Sequence, residues 1–239
     1  MSEHMLLNVE AHRDLRIRRD RSATLGDAVM TALVVPDEFR RVQADYPILF
    51  RQTPERDGFV ALALFGFDAG ENLFLDGNRW DATCLPLSVD IQPFLIGGAP
   101  GAEGARKAVI DMASPRIAAA DSDGVRVFDR DGRPTPYLET ILERLGALDM
   151  GYRGAAAFFD ALDRHGLLEP FTLEVTLNDG ATNRLVGFHA IAEERLRDLD
   201  APTLGTLHRD GHLLPIFMAV ASLANLPGLI ARKNRVRGG

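Results

Sequence analysis

The residues best suited to chemistry sit in short, polar, tightly turned segments between apolar runs. Glu71 and Asp76 flank Asn72 and an apolar triplet. Such a pair of carboxylates could work as acid and base if a cleft gave them opposed environments. Arg116 follows Ser114-Pro115, and its planar guanidinium could clamp a carboxylate at two points. It could equally pair inside the protein with Asp111 or Glu71. Trp80 offers a face for stacking a ligand, or a loop anchor. Tyr137 closes a third turn-rich segment, Thr135-Pro136-Tyr137. Loops at one end of a sheet are positioned together by rigid strands. Glu71, Asn72, Trp80, Arg116 and Tyr137 are therefore the candidate ligand-binding cleft. Arg116 is expected to hydrogen-bond a carboxylate or carbonyl from the Glu71-Asn72 or Thr135–Tyr137 segment. The simpler reading is that these side chains satisfy backbone groups of their own loops.

His208-Arg209-Asp210 has the His-x-Asp form of facial iron triads, which His189 or His212 could complete around iron or another divalent metal. Alternatively, His208 ends a helix, where positive charge is favoured. Asp121, Asp123, Asp129 and Asp131 are oxygen donors, but Gly124 and Gly132 come too early for an EF-hand loop. Asp-Gly turns explain both pairs without a metal. Residues 97–107 are glycine-rich and lack Gly-Lys-Ser/Thr at P-loop spacing, though their backbone could form an anion nest. Cys84 is the only cysteine, so no intrachain disulfide exists, and its setting reads as a strand edge or core. No nucleophile elbow, His-Glu-x-x-His helix or dinucleotide fingerprint appears. No catalytic residue and no cofactor are predicted.

A chain of 239 residues can bury one sizeable core or two small ones. Its formal charge of −7 argues against a nucleic-acid partner. The first fourteen residues are charged and hold no apolar signal core, so cytoplasmic residence is expected. The basic tail 232–239, with Arg232, Lys233, Arg235 and Arg237, is expected to be frayed and solvated. Residues 213–231 are almost uncharged and approach the length of a membrane span. Pro215, Asn225 and Pro227-Gly228 should interrupt them, leaving a core helix of about eleven residues. No transmembrane span is expected.

These segments need elements to position them. In the first half, strands are expected near 29–35, 46–50, 59–65, 107–111 and 125–128. Residues 59–65 are apolar at every position, as in a strand covered on both faces. Pro136 suits the first turn of a helix whose stripe is Leu138, Ile141, Leu142 and Leu145. A second helix should span 152–165 and stop at Gly166. Phe171, Leu173, Val175 and Leu177 alternate with polar residues, and Asn178-Asp179-Gly180 turns the chain back toward 185–191 as a hairpin. Three helices, near 193–199, 202–208 and 212–226, should close the chain. The expected fold is α+β: a β-rich N-terminal part and a C-terminal part of helices around a β-hairpin, in one compact domain. Any sub-boundary would lie near 132–136.

Several segments recur in a recognisable order. They are Tyr46-Pro47-Ile48-Leu49-Phe50, Glu71-Asn72-Leu73-Phe74 with Trp80, and Ser114-Pro115-Arg116. Then come Pro134-Thr135-Pro136-Tyr137-Leu138, Gly166-Leu167-Leu168-Glu169-Pro170-Phe171, Gly187-Phe188-His189 and Leu207-His208-Arg209-Asp210-Gly211. This order resembles the bacterial SapC family over roughly residues 12–226. The family is named from a surface-layer gene cluster, and many members are encoded near outer-membrane receptor genes. The resemblance implies a non-catalytic binding or accessory protein in such systems, with a protein or peptide partner. It transfers no catalytic residue. The alternatives are a metal-dependent peptide- or protein-modifying enzyme using His208, Asp210 and a further histidine, and a structural surface-layer component. The oligomeric state stays open.

Overall fold

The computed structural model describes residues 2–97, 107–118 and 123–238. The fold is α+β, as expected, with its contacts grouped into two units interleaved along the chain. The first comprises Met1–Ala28, Leu75–Trp80 and Leu87–Met150; the second comprises Val29–Phe74, Asp81–Pro86 and Gly151–Gly239.

The second unit is built on a five-stranded antiparallel sheet. Its spatial order is Leu168–Thr176, Thr182–Ile191, Ile48–Gln52, Phe59–Leu64 and Thr31–Val34. The first two strands are the hairpin that the alternating pattern predicts. Phe59–Leu64 lies between two neighbours, and Ala61 through Leu64 are all buried, which accounts for its lack of alternation. The core is aromatic. Phe39 meets Phe50 and Phe158 edge to face, and Tyr46 meets Phe65 and Phe74 in the same way. The helix Ala201–Arg209 starts at Asp200, whose carboxylate accepts from the Thr203 N–H at 2.9 Å.

Two helices differ from expectation. Pro136–Arg164 is one continuous helix of 29 residues where two were predicted. Helical glycines at 146, 151 and 154 each cost up to about 1 kcal/mol, which packing can outweigh. At Gly151 the packing is explicit: a Cβ there would lie 2.5 Å from Val35 Cγ2. The helix belongs to the first unit as far as Met150 and to the second from Gly151.

The C-terminal stretch also continues where a break was predicted. Leu213–Ser222 passes through a single 3-10 turn, Leu223–Asn225, into the helix Leu226–Gly238. Pro227 occupies the first turn of that last helix, where a missing N–H costs nothing. By length and composition the 26-residue stretch is long and apolar enough to cross a membrane, with a window of mean hydropathy 1.9.

In the first unit, His4–Leu6, Lys107–Asp111 and Phe94–Gly97 form one three-stranded sheet. Arg16–Ile17 pairs with both Ile117–Ala118 and Val125–Arg126. Leu75–Asp76 and Arg79–Trp80 make a short hairpin. Asp129 Oδ1 accepts from the Asp131 and Arg133 N–H groups at 2.9 and 2.8 Å, with Gly132 at φ +82°. This is the turn chemistry expected there. Asp121, and the expected nest apart from its two end residues, lie outside the described residues.

Candidate functional site

Arg116 does act as a two-point clamp, but inside its own unit. It is 2% exposed, and its Nη2 donates to both Asp27 carboxylate oxygens at 2.6 Å. Its Nη1 donates to the Arg18 and Asp20 carbonyls at 3.3 and 2.9 Å. None of these partners comes from the Glu71-Asn72 or Thr135–Tyr137 segments, so that expectation fails. The reason is a tight turn: Ser22 N–H donates to Asp27 Oδ2 at 2.8 Å, and Gly26 at φ +90° folds the carboxylate back inward. Arg21 reaches Asp27 at 3.4 Å and Asp90 at 3.2 Å, and Arg144 reaches Asp90 at 2.7 Å. Burial, followed by the charge of Arg116, pulls Arg21 below its ordinary guanidinium value. Tyr137 packs on Phe94 at 6.3 Å between ring centroids, with the Arg19 guanidinium 5.7 Å over its ring. Its burial raises the phenol against the opposing pull of Arg19, Arg21 and Arg116. Trp80 is buried on the short hairpin, as a loop anchor would be.

Glu71 and Asn72 belong to the second unit. Glu71 Oε2 accepts from the Phe67 N–H at 2.8 Å, and Asn72 Oδ1 accepts from the Phe74 N–H at 3.0 Å. Gly66 has to be glycine, because a Cβ would sit 2.9 Å from both the side chain and the carbonyl oxygen of Glu71. Asp76, the other proposed member of the acid–base pair, is exposed and pairs with Arg79. The unforeseen partner of Glu71 is Lys233. Its buried ammonium reaches Glu71 Oε1 at 2.5 Å and Asp68 Oδ2 at 2.6 Å. Burial pulls Lys233 down, but the hydrogen bonds to Asp68 and Glu71 outweigh it and raise the group overall. The same bond is the main cause that lowers Asp68. Arg232 lies 4.5 Å over the Phe74 ring and pairs with Asp81 at 2.8 Å, while Arg237 pairs with Asp179 at 3.1 Å.

The tail expected to fray is thus a clamped helix through Gly238. Leu229 and Lys233, four residues apart, share its buried face. The carboxylates that hold Lys233 lie more than 160 residues earlier, which charge counting along the tail does not reveal.

A cavity of about 430 Å³ opens in the second unit. Residues 36–40, 151–158 and 210–218 contribute its walls. Buried Phe158 and Met218 give it an apolar floor, and exposed Asp37, Arg40 and Asp210 a charged rim. The His212 ring stands edge-on to Phe158 at 5.8 Å. Arg40 makes no ion pair among the described residues. The one sequence signal for this cavity was the pair Gly151 and Gly154, one turn apart on the same helix face.

Of the proposed metal ligands, Asp210 borders this cavity and His208 is exposed in the last turn of its helix. His189 sits on the hairpin, edge-on to Phe59 at 5.0 Å, and burial lowers its pKa. Among the described residues no group of three His, Cys, Asp or Glu side chains is placed to hold a metal ion. Cys84 donates from Sγ to the Arg41 carbonyl, and burial, followed by the charge of Asp45, pushes its thiol up to about 11. It is therefore a poor nucleophile at neutral pH.

These features define an α+β chain with internally paired charge clusters in each unit and, among the described residues, open cavities that include the one described above. The SapC family model matches residues 7–229, and the chain belongs to the SapC family. No match was found among curated proteins or among solved structures.

Proposed function

We propose that this SapC protein is a non-catalytic binding or accessory protein that holds a protein or peptide partner in the cavity of its second unit. The observation that carries the reading is the cavity's apolar floor beneath a rim whose cation, Arg40, has no ion pair among the described residues. Its size, about 430 Å³, falls in the range of ligand-sized sites. An apolar side chain of the partner would lie over Phe158 and Met218, and an acidic group would meet Arg40. The side chains best suited to acid–base work support this reading, because Glu71 and Arg116 are committed to internal partners. The net charge of −7 favours protein over nucleic acid. The family's name, taken from a surface-layer gene cluster, supports a role beside surface-layer or outer-membrane-receptor systems, exercised from the cytoplasm.

Affinity capture from native-host lysate at physiological salt, with the parent and Arg40→Glu side by side, tests this. The parent should recover a discrete protein or peptide that the variant loses. Recovery of nothing, or of the same species by both, would contradict the reading.

A further inference from the structure

The C-terminal helical stretch has one anchored side and one bare side. Only 28% of its most apolar window is buried. Ile216, Ala219, Ser222, Leu229 and Lys233 face the body of the unit, and the Ile48 N–H donates to Ser222 Oγ at 2.8 Å. On the other side, exposed Leu214, Phe217, Ala221, Ala224, Gly228 and Ala231 recur at alternating steps of three and four. One further step of four reaches exposed Arg235. That alternation is the seam spacing of paired helices. Leu214 and Phe217 are 54% and 52% exposed, which sets two large apolar side chains one turn apart on the bare side.

The stripe is graded, large at its N-terminal end and small at its C-terminal end. We propose that it pairs antiparallel with the same stripe of a second copy of this chain, about a two-fold axis at Ala224. That arrangement sets Phe217 against the second copy's Ala231, Ala221 against its Gly228, and Leu214 against its Arg235. Phe217 then meets a small residue instead of its own counterpart, and the small central residues let the two helices approach closely. Parallel pairing would stack Phe217 on its own counterpart and leave the alanines facing a gap.

Charge complements shape. Arg235 and Asp210 are both exposed and make no ion pair among the described residues. Arg235 closes one end of the seam, and Asp210, the C-cap of the preceding helix, comes four residues before Leu214 at the other, so the two-fold would bring them together twice. The 21 steps from Leu214 to Arg235 span roughly 32 Å of helix. Insertion into a bilayer fits less well, because Arg235 lies in the stripe and Lys233 is tied to Asp68 and Glu71 on the anchored side. Leu214 and Asp210 also border the cavity, so the second copy would close one side of it. The proposal does not depend on a peptide partner, and the mass of the protein alone reads it.

Sedimentation velocity of the purified protein at tens of micromolar should show twice the 26.2 kDa chain mass. Phe217→Glu should weaken association at least about tenfold. Arg235→Asp or Asp210→Arg alone should also weaken it, and the two together should restore it. Ala224→Cys should form a chain-to-chain disulfide under mild oxidation, while the parent, whose only cysteine is Cys84, should not. A chain-mass species at all concentrations with no Ala224→Cys crosslink would overturn the proposal. So would an associated parent that Phe217→Glu leaves unchanged. Flotation of a chain-mass protein with phosphatidylglycerol vesicles, lost in Phe217→Glu, would assign the stripe to a membrane instead.

Discussion

Arg116 and Lys233 each hold distant parts of one unit together through a buried charge, by different chemistry. The Arg116 fork meets two carboxylate oxygens and two carbonyls at once, a geometry an ammonium cannot reproduce. Arg116→Ala, which takes the two-point partner from buried Asp27 and leaves it Arg21 and the Ser22 N–H, should cost about 3 kcal/mol in urea unfolding. Arg116→Lys should cost about 2 kcal/mol, since charge is kept and the fork is lost. Equal stability of all three proteins would show that the clamp is incidental. The Lys233 link carries a pH signature. Asp68 is lowered from 3.8, so its contribution is present above that pH and is lost as pH falls through the lowered value. Lys233 is raised from 10.5, so its contribution is complete below that pH and is lost as pH rises through the raised value. The stability gap between the parent and Lys233→Met should therefore be level from about pH 5 to 10 and narrow on either side. A gap that stays constant down to pH 3 would remove the link. That Arg116 is a clamp was legible from its residue type beside a turn. Its partner Asp27, 89 residues away, was not.

At the scale of elements, what the sequence encodes locally is what could be read from it. The hairpin Leu168–Thr176 to Thr182–Ile191 is set by strict alternation and an Asn-Asp-Gly turn, both local signals. The continuity of Pro136–Arg164 is set by packing, which overrides the local cost of glycine, and Leu213–Gly238 runs on through a 3-10 turn because Pro227 falls in the first turn of its last helix. Glycines in the long helix should therefore respond to substitution with opposite signs. Gly151→Ala would push a Cβ to 2.5 Å from Val35 Cγ2 and should destabilise by about 1–3 kcal/mol. Gly146 has nothing within 4 Å of such a Cβ, so Gly146→Ala should stabilise by up to about 1 kcal/mol. Thermal unfolding of the two variants checks this, and a shared sign would show that Gly151 is not a packing position. The cavity was barely legible for the same reason: its three walls lie far apart in sequence, and the one motif that touches it, at His208–His212, reads as a metal triad.

At the scale of the whole molecule, buried charges such as Arg116 and Lys233 are paired internally, while the cavity over Phe158 and one face of the C-terminal helix stay open among the described residues. The proposed binding role turns on the cavity, with Arg40 at its rim. The most direct measurement is site-specific photocrosslinking in native-host extract, followed by mass spectrometry of the adduct. The photoreactive residue replaces exposed Asp37 at the rim or, as a control, Val186, which is 54% exposed on the hairpin. The account predicts a chemically unaltered protein or peptide attached at position 37 and absent at position 186. Equal labelling at both positions, or a captured species that the parent protein chemically changes on incubation, would contradict it.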